Sequence, residues 1–298
     1  MPNHAPNPIT TEALEAHRGR LESLAYRILG SRTDAEDVVQ DGFVQWMSAD
    51  QSQIENPVAW LTTVTTRKAI DVLRSAQRSR TDYVGQWLPE PTTTHQEAEQ
   101  EQQLELASSL STAFLHVLEN LSPKERAAFL LHTVFEYSHT AVSDILGVSE
   151  AASRKLVSRG KAKVSQRDVR HHPPQDHQRR MLTAFQQAID TGEPQAFAEL
   201  LAADVRFVAD GGGKATAILE PLSGAEVIPF IQKSLRRWWK DFAWEIAEIN
   251  GLLGILLRAE DDLVAAVTFG YNTNAQVTEI QVMRNPDKLR AIQQAPLL

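Results

Sequence analysis

The chain has 298 residues, 42% hydrophobic and 23% charged, a length that calls for two or three compact units rather than one. It has no cysteine, which excludes a disulfide framework, a thiol nucleophile and a thiolate metal site. No apolar run approaches the roughly eighteen residues of a membrane span, and the opening "MPNHAPNP" has neither a basic start nor an apolar core, so no membrane segment or signal peptide is expected and the cytoplasm is the expected compartment.

The formal net charge of −8 alone argues against a nucleic-acid partner. The distribution of charge argues the other way. Leu61 to Arg80 carries Arg67, Lys68, Arg74, Arg78 and Arg80 against Asp71, a local +4. Ser149 to Arg170 carries Arg154, Lys155, Arg159, Lys161, Lys163, Arg167 and Arg170 against Glu150 and Asp168, a local +5. Between these islands, Tyr83 to Leu110 holds Glu90, Glu97, Glu99, Glu101 and Glu105 and no cation.

Residues 10–80 read as helices. Thr33 with Glu36 three positions on reads as a capping box, followed by Val39, Phe43 and Trp46 at helical spacing and by Asp34, Asp37 and Asp41 on another face. Pro57 then opens a long helix on which Arg67, Arg74 and Arg78 share a face. Trp60, with Thr62, Thr63, Thr65, Thr66 and Arg67 beside it, has the makings of a stacking and hydrogen-bonding surface for unpaired bases, although Trp60 fits a core equally well.

Residues 81–103 read as a linker of Pro, Thr, Glu and Gln. "WLPEP" at 87–91 is odd for a passive spacer, because an exposed Trp and Leu cost solubility, and it is expected to dock. Residues 104–167 are helical again. Ser122, Pro123 and Glu125 form a helix start. Ala141 with Ile145 and Val142 with Leu146 give a short apolar helix, Gly147 a turn, and Ser149 the cap of a strongly basic second helix, which is the grammar of a helix-turn-helix. A second linker at 168–177 contains Pro173–Pro174, which no helix crosses.

Residues 178–298 change character. Two helices precede "VRFVADGGGKATAIL", read as strand, turn, strand. A helix over "GAEVIPFIQKSLRRWWK" follows, then strands at "AWEIAEIN", "DLVAAVTFGY" and "AQVTEIQVMR", with "GILLRA" as a possible further one. Helices followed by a mostly antiparallel sheet make an α+β unit. "DGGGK" at 210–214 suggests a phosphate loop. However, Lys214 is followed by Ala215 rather than Ser or Thr, and the flanks read as strands, so a tight turn is expected instead.

Several stretches together carry a family resemblance. "AYRILGSRTDAEDVVQDGFVQW" and "AWLTTVTTRKAIDVLRS" resemble region 2 of bacterial extracytoplasmic-function (ECF) sigma factors, and "LSPKERAAFLLHTVFEYSHTAVSDILGVSEAASRKLVSRGKAKV" resembles their region 4. "WLPEP", "DGGGK" and "NPDKL" at 285–289 are similar to signatures of the SigJ-like subgroup with a fused SnoaL-like C-terminal domain (ECF group 41). The implied architecture is multi-domain. Two all-α sigma domains, a region 2 bundle at 10–80 and a region 4 helix-turn-helix at 104–167, precede an α+β SnoaL-like cone-shaped barrel at 178–298.

The resemblance implies binding to the RNA polymerase core, at the β′ clamp through Asp34, Asp37, Gln40, Asp41 and Phe43 and at the β flap through region 4. It implies promoter contacts at the −10 element through Trp60, Thr63, Arg67, Lys68, Arg74 and Arg78, with the loop before Pro57 helping to open it. Ser149, Ser153, Arg154, Lys155, Ser158, Arg159 and Lys161 would meet the −35 element. Regulation would run through Trp87, Leu88, Pro89, Glu90 and Pro91 in the linker, Asp210, Gly211, Gly212, Gly213 and Lys214 in the turn, and Asn285, Pro286, Asp287, Lys288 and Leu289 in the tail. The glycines are expected to let the backbone approach Trp87–Pro91, and Lys214 or Asp210 to pair with linker groups such as Glu90.

One departure is that no β-branched residue follows Lys214, which would loosen the strand after the turn. The C-terminal domain has no His after His177, and the lone carboxylates Asp210, Glu220 and Glu245 make a weak case for an enzyme. A sensor pocket lined by Phe207, Trp238, Trp239 and Trp244 is the alternative, in which the chain is a helix-turn-helix regulator with a small-molecule ligand. That ligand stays open at this point. No cofactor, no metal and no obligatory anti-sigma protein is expected.

Overall fold

The computed structural model of the chain describes residues 15–79, 82–93, 111–166 and 171–293. They form two compact units, one from residues 1–79 and 121–163, the other from 80–120 and 164–298. The Glu-rich strip beyond residue 93 lies outside the described residues.

The first unit is helical. Helix α1 (Arg18–Leu29) ends at Gly30, whose φ of 70° provides the left-handed stop. Helix α2 (Arg32–Ser48) starts two residues earlier than expected. Ser31 is its cap and accepts from the Asp34 amide, whereas Glu36 pairs with Arg32 one turn along. The Thr33 capping box is therefore not formed. Val39, Phe43 and Trp46 are buried as their spacing demands. Helix α3 (Pro57–Ser79) is capped by Asn56, whose side chain accepts from the Ala59 amide, and buries Leu61, Ala69, Ile70 and Leu73.

The second half of this unit opens with helix α5 (Pro123–Phe129), which has the expected capping box between Ser122 and Glu125 and runs into a π-helical turn at Leu130–Val134. Helices α6 (His139–Leu146) and α7 (Glu150–Ser165) flank Gly147, whose φ is 61°. Gly160 lies against Phe129, and a Cβ there would sit 2.9 Å from that of Phe129, so the two helices approach closely only because residue 160 has no side chain. The fully buried Arg126 donates from Nε to the Arg27 carbonyl at 3.1 Å, joining α5 to α1.

The second unit contains linker residues 82–93, helix α4 (Thr112–Leu118), helices α8 (Gln175–Thr191) and α9 (Gln195–Ala198), and a six-stranded sheet. Its strands are β1 (Leu201–Asp210), β2 (Leu222–Ser223), β3 (Ala243–Ile249), β4 (Leu252–Ala259), β5 (Asp262–Tyr271) and β6 (Val277–Met283), in the order β2-β1-β6-β5-β4-β3. All neighbours are antiparallel except β1 and β6. The further strand foreseen at "GILLRA" is β4. The strand foreseen directly after "DGGGK" is absent. The chain wanders until Leu222–Ser223 before pairing with β1, consistent with the missing β-branched residue after Lys214.

Helix α10 (Val227–Phe230), a π-helical turn at Ile231–Leu235 and helix α11 (Arg236–Trp239) form one helical run. This run and α8 cover one face of the sheet, where the rings of Phe197, Phe269 and Trp239 meet Phe185 and that of Phe207 meets Phe230. Of the residues named for a sensor pocket, Phe207 and Trp239 are thus core, Trp244 is half-buried against Phe185, and Trp238 is exposed. The opposite face carries Val208, Leu256, Ala266 and Met283, and is covered by Leu88 of the linker and by Leu289 and Ile292 of helix α12 (Pro286–Gln293). Helix α4 lies on β5 and β6.

Candidate nucleic-acid interface and linker clasp

Helix α7 presents its cations on one side. Arg154, Lys155, Ser158, Arg159 and Lys161 are exposed, while Val157, Gly160 and Val164 face the core. Ser149 caps the helix by accepting from the Ala152 amide at 3.2 Å. Ser153 differs from its expected role. It is fully buried beside His139, 3.3 Å from Nδ1, because its place on the helix faces α6. Burial pushes the His139 imidazole below its ordinary pKa, and His132, stacked on it with centroids 4.0 Å apart, adds to this. Arg154 pairs with Glu150, and Lys163 with Glu125 at 2.8 Å. Burial alone would raise the Glu125 pKa, but the bonds from Lys163 and Ser122 outweigh it and hold the carboxyl below its usual range.

On α2, Asp34 is half-buried and Asp37, Gln40 and Asp41 are exposed, an acidic face with Lys68 on Asp41 at 2.7 Å. Phe43 is not on that face. It is 5% exposed, with the Arg18 guanidinium 4.5 Å from its ring centroid.

An open cavity of about 570 Å³ lies before α3, lined by Ala49, Asp50, Gln53, Ile54, Glu55, Asn56 and Trp60. Trp60 is half-buried and meets Trp46 edge-on, with centroids 5.6 Å apart, leaving part of its indole to the cavity. The threonine cluster is mostly internal. Thr62, Thr65 and Thr66 are buried, and the Thr63 hydroxyl donates to the Ala59 carbonyl at 2.9 Å. Arg74 and Arg78 are exposed. Arg67 is engaged elsewhere. It donates from Nε to the Ile145 carbonyl at 2.7 Å and from Nη2 to the Asp144 carbonyl at 2.9 Å, at the C-terminal end of α6.

The linker, the turn and the tail meet around one carboxylate. Asp210, at the end of β1, is fully buried. Its Oδ1 accepts from the Tyr83 hydroxyl at 2.6 Å, and its Oδ2 accepts from the Leu88 amide at 2.9 Å and from Lys288 Nζ at 2.7 Å. Lys288 also donates to the Leu88 carbonyl at 2.6 Å and stands 4.1 Å from the Trp87 ring centroid. A buried carboxylate with its charge matched and its lone pairs filled escapes the penalty of an isolated one. Leu88, Pro89 and Pro91 are buried, and Trp87 and Glu90 are half-buried. Thr92 and Asn250 add a reciprocal pair of bonds, at 3.0 and 2.8 Å.

The glycines serve this clasp, though not opposite the expected partners. A Cβ on Gly212 (φ 58°) would lie 2.3 Å from Asn285 Nδ2 and 3.0 Å from the Tyr83 oxygen, and one on Gly213 (φ 69°) would lie 3.3 Å from Val84. They admit Tyr83 and Val84 rather than Trp87–Pro91. Gly211 is pinned locally, with a Cβ 2.2 Å from the Ala215 carbonyl oxygen. Of the two charged residues of the turn, Asp210 reaches the linker. Lys214 instead pairs with Asp287 of the tail, and this bond holds the Asp287 carboxyl below its usual range. Pro286 and Asp287 open α12 at the surface, while Lys288 and Leu289 turn inward.

Tyr83 and Asn285 are bound to each other at 2.9 Å. Tyr83 had no expected role, since a single aromatic four residues before "WLPEP" carries no periodic signal. A second unforeseen contact is on α4, where His116 Nδ1 lies 3.0 Å from the buried Glu279 of β6 and Ala113 sits on Gly270. Among the described residues, no cluster of metal-type side chains occurs and no helix is long and apolar enough to cross a membrane.

Comparison with known proteins agrees with this assembly. Residues 13–79 match the family model "Sigma-70 region 2" and residues 111–164 match "Sigma-70, region 4". The ECF RNA polymerase sigma factor SigJ of Mycobacterium tuberculosis is 35% identical over 288 residues, 92% of this chain and 91% of that one. The probable ECF RNA polymerase sigma factor SigI of the same species is 28% identical over 203 residues, 67% of this chain and 69% of its own. The crystal structure of M. tuberculosis SigJ is similar with a TM-score of 0.75 at 30% identity, covering 97% of this chain and all of that one. With two sigma regions in order, a helix-turn-helix bearing an exposed basic face and a relative matched over nearly its whole length, the chain belongs to the ECF RNA polymerase sigma factors, which direct promoter-specific transcription initiation.

Proposed function

We propose that this chain is a cytoplasmic ECF sigma factor whose activity is set from within by the clasp between its linker and its C-terminal sheet. The acidic face of α2 (Asp34, Asp37, Gln40, Asp41) is the docking surface for the β′ clamp, and the helix-turn-helix part of the chain meets the β flap. The α7 face of Ser149, Arg154, Lys155, Ser158, Arg159 and Lys161 reads the −35 duplex, its cations mostly on phosphates. The cavity beside Trp60 accepts an unstacked base of the −10 element, with Lys68, Arg74 and Arg78 along the strand. Arg67 joins them only once it leaves α6.

The observation that carries the regulatory part is the Asp210 carboxylate with three donors from linker and tail. It fixes the linker immediately after the basic helix α3, and a linker held on the sheet cannot extend between two promoter elements. No catalytic chemistry, no cofactor and no obligatory anti-sigma protein enters this scheme. The aromatic packing of the covered sheet face gives the ligand-sensor alternative no support.

The experiment is in vitro transcription with bacterial core polymerase on a promoter from the gene's own neighbourhood, comparing the intact chain with Lys288→Met. The variant should transcribe several-fold more strongly while near-UV circular dichroism shows the C-terminal sheet still packed. Equal or lower transcription from a folded variant would overturn the clasp as a brake. No initiation by either protein would overturn the sigma reading itself.

A further inference from the structure

The geometry points to a third nucleic-acid contact, on the C-terminal domain: Lys233, Arg236, Arg237 and Lys240 around Trp238, suited to a single strand of DNA such as a melted promoter exposes. It goes beyond the regulatory role proposed above and rests on that reading only in supposing that this chain handles melted DNA.

The argument starts from the helical run 227–240. It contains four cations and no acidic residue, a local +4 in a chain of net charge −8. Ile231, Leu235 and Trp239 are buried at a strict spacing of four. In a regular α-helix that spacing drifts by about 40° per step, and the π turn over Ile231–Leu235 absorbs the drift. The apolar side is thereby kept inward, and Lys233, Arg236, Arg237 and Lys240 are all left exposed. Turns of this type recur at functional sites.

Two further observations separate this face from an ordinary solvated one. Five other described cations of the domain are in ion pairs, Arg206 with Glu279, Lys214 and Arg290 with Asp287, Arg258 with Glu245 and Lys288 with Asp210, whereas Arg179 and Arg180 of α8 are exposed like the four here. None of the four cations here is paired with a described residue. Trp238 in their midst is 46% exposed, against 1% for its neighbour Trp239. It is not loose, since its ring meets Phe230 edge-on with centroids 6.3 Å apart. A held indole with one accessible face and cations on either side offers a stacking platform and phosphate partners together. A lipid surface fits less well. Membrane-lying helices insert an apolar face, and here that face is already in the core.

The test uses the intact protein and a fluorescent oligothymidylate, with affinity read across a salt series. Arg236→Gln/Arg237→Gln should weaken binding and make the slope of log K on log salt shallower by about 1.4, that is, about 0.7 for each single-strand phosphate no longer neutralised. Trp238→Ala should cost roughly tenfold in affinity with the slope kept. Photocrosslinking of an iodouridine-substituted strand should place an adduct on Trp238. Unchanged slope and affinity in the double variant, with no adduct at Trp238, would overturn the assignment. Retained oligonucleotide binding combined with lost binding to anionic phosphatidylglycerol vesicles would overturn it in favour of a membrane surface. The same preparations run in the promoter assay keep the two readings apart: a protein that initiates normally but shows no patch-dependent binding fails this inference alone.

Discussion

Arg67 donates to the Ile145 carbonyl at 2.7 Å, so a side chain of the first basic island closes the C-terminal end of the first helix of the helix-turn-helix. The cation sits where the helix dipole is negative and where carbonyls lack intrahelical donors. The same N–H groups cannot hold a DNA strand at the same time. Arg67→Met should therefore lower the stability of the helical unit by about 1–2 kcal/mol, the range for a partly exposed charged hydrogen bond. Urea titration followed by far-UV circular dichroism measures it. A stability equal to wild type would mean that the bond has no energetic weight.

The buried pair of Asp210 and Lys288 should be strongly asymmetric to mutation. Lys288→Met leaves a carboxylate in the interior with two neutral donors and should cost about 3–5 kcal/mol. Adding Asp210→Asn removes the orphaned charge and should recover a good part of that. A double-mutant cycle on thermal melts gives the coupling, and strict additivity would contradict the packing described above.

Gly270 lies under α4, and a Cβ there would stand 2.6 Å from that of Ala113. Gly270→Ala should push α4 off β5 at a cost of about 1–3 kcal/mol. Ala113→Gly in the same chain should relieve the clash, beyond its own small helix penalty of about 1 kcal/mol. If the second change gives no rescue, measured by hydrogen exchange on residues 112–118, then α4 is not seated on Gly270.

His172 provides a pH dependence. Burial lowers its pKa to about 4, and its Nε2 has no partner. A buried neutral imidazole binds its proton more weakly folded than unfolded, so the unfolded state gains protons first on acidification. The contribution is nil above the unfolded pKa of about 6.5, reaches roughly 2 kcal/mol of destabilisation near pH 5 and is complete below pH 4. Stability curves of His172→Gln should be flatter than wild type over that window. Parallel curves would remove His172 as the cause.

The helix-turn-helix, the capping box at Ser122 and the succession of strands along 243–283 were legible because each is written in local periodicity or in a cap residue. The placement of Ser153, Thr65 and Arg67 was not. Which face of a helix is buried depends on its neighbour, and Arg67 of α3 finds its partner 78 residues further along the chain. The clasp was half legible. "WLPEP" announced that it must dock, and three glycines announced a close approach. The identity of what approaches, Tyr83 and Val84, was hidden because a lone Tyr in a polar linker has no periodic signature. Trp238 and Trp239 make the same point within one dipeptide, since only the π turn before them decides which ring is inside.

Lys288 follows Asp210 by 78 residues, and β6, the parallel neighbour of β1, lies within that interval. Chains fold in the order in which they leave the ribosome, at roughly 5–20 residues per second. The helical unit of α1 to α3 and α5 to α7 precedes that interval entirely, so it is complete while Asp210 still lacks its cation. A newly synthesised molecule thus spends on the order of 4–16 s with its linker unfastened. If the clasp is the brake proposed above, synthesis is the first occasion on which this factor is free to meet polymerase, and its abundance in the active form should follow its rate of synthesis more closely than its total amount.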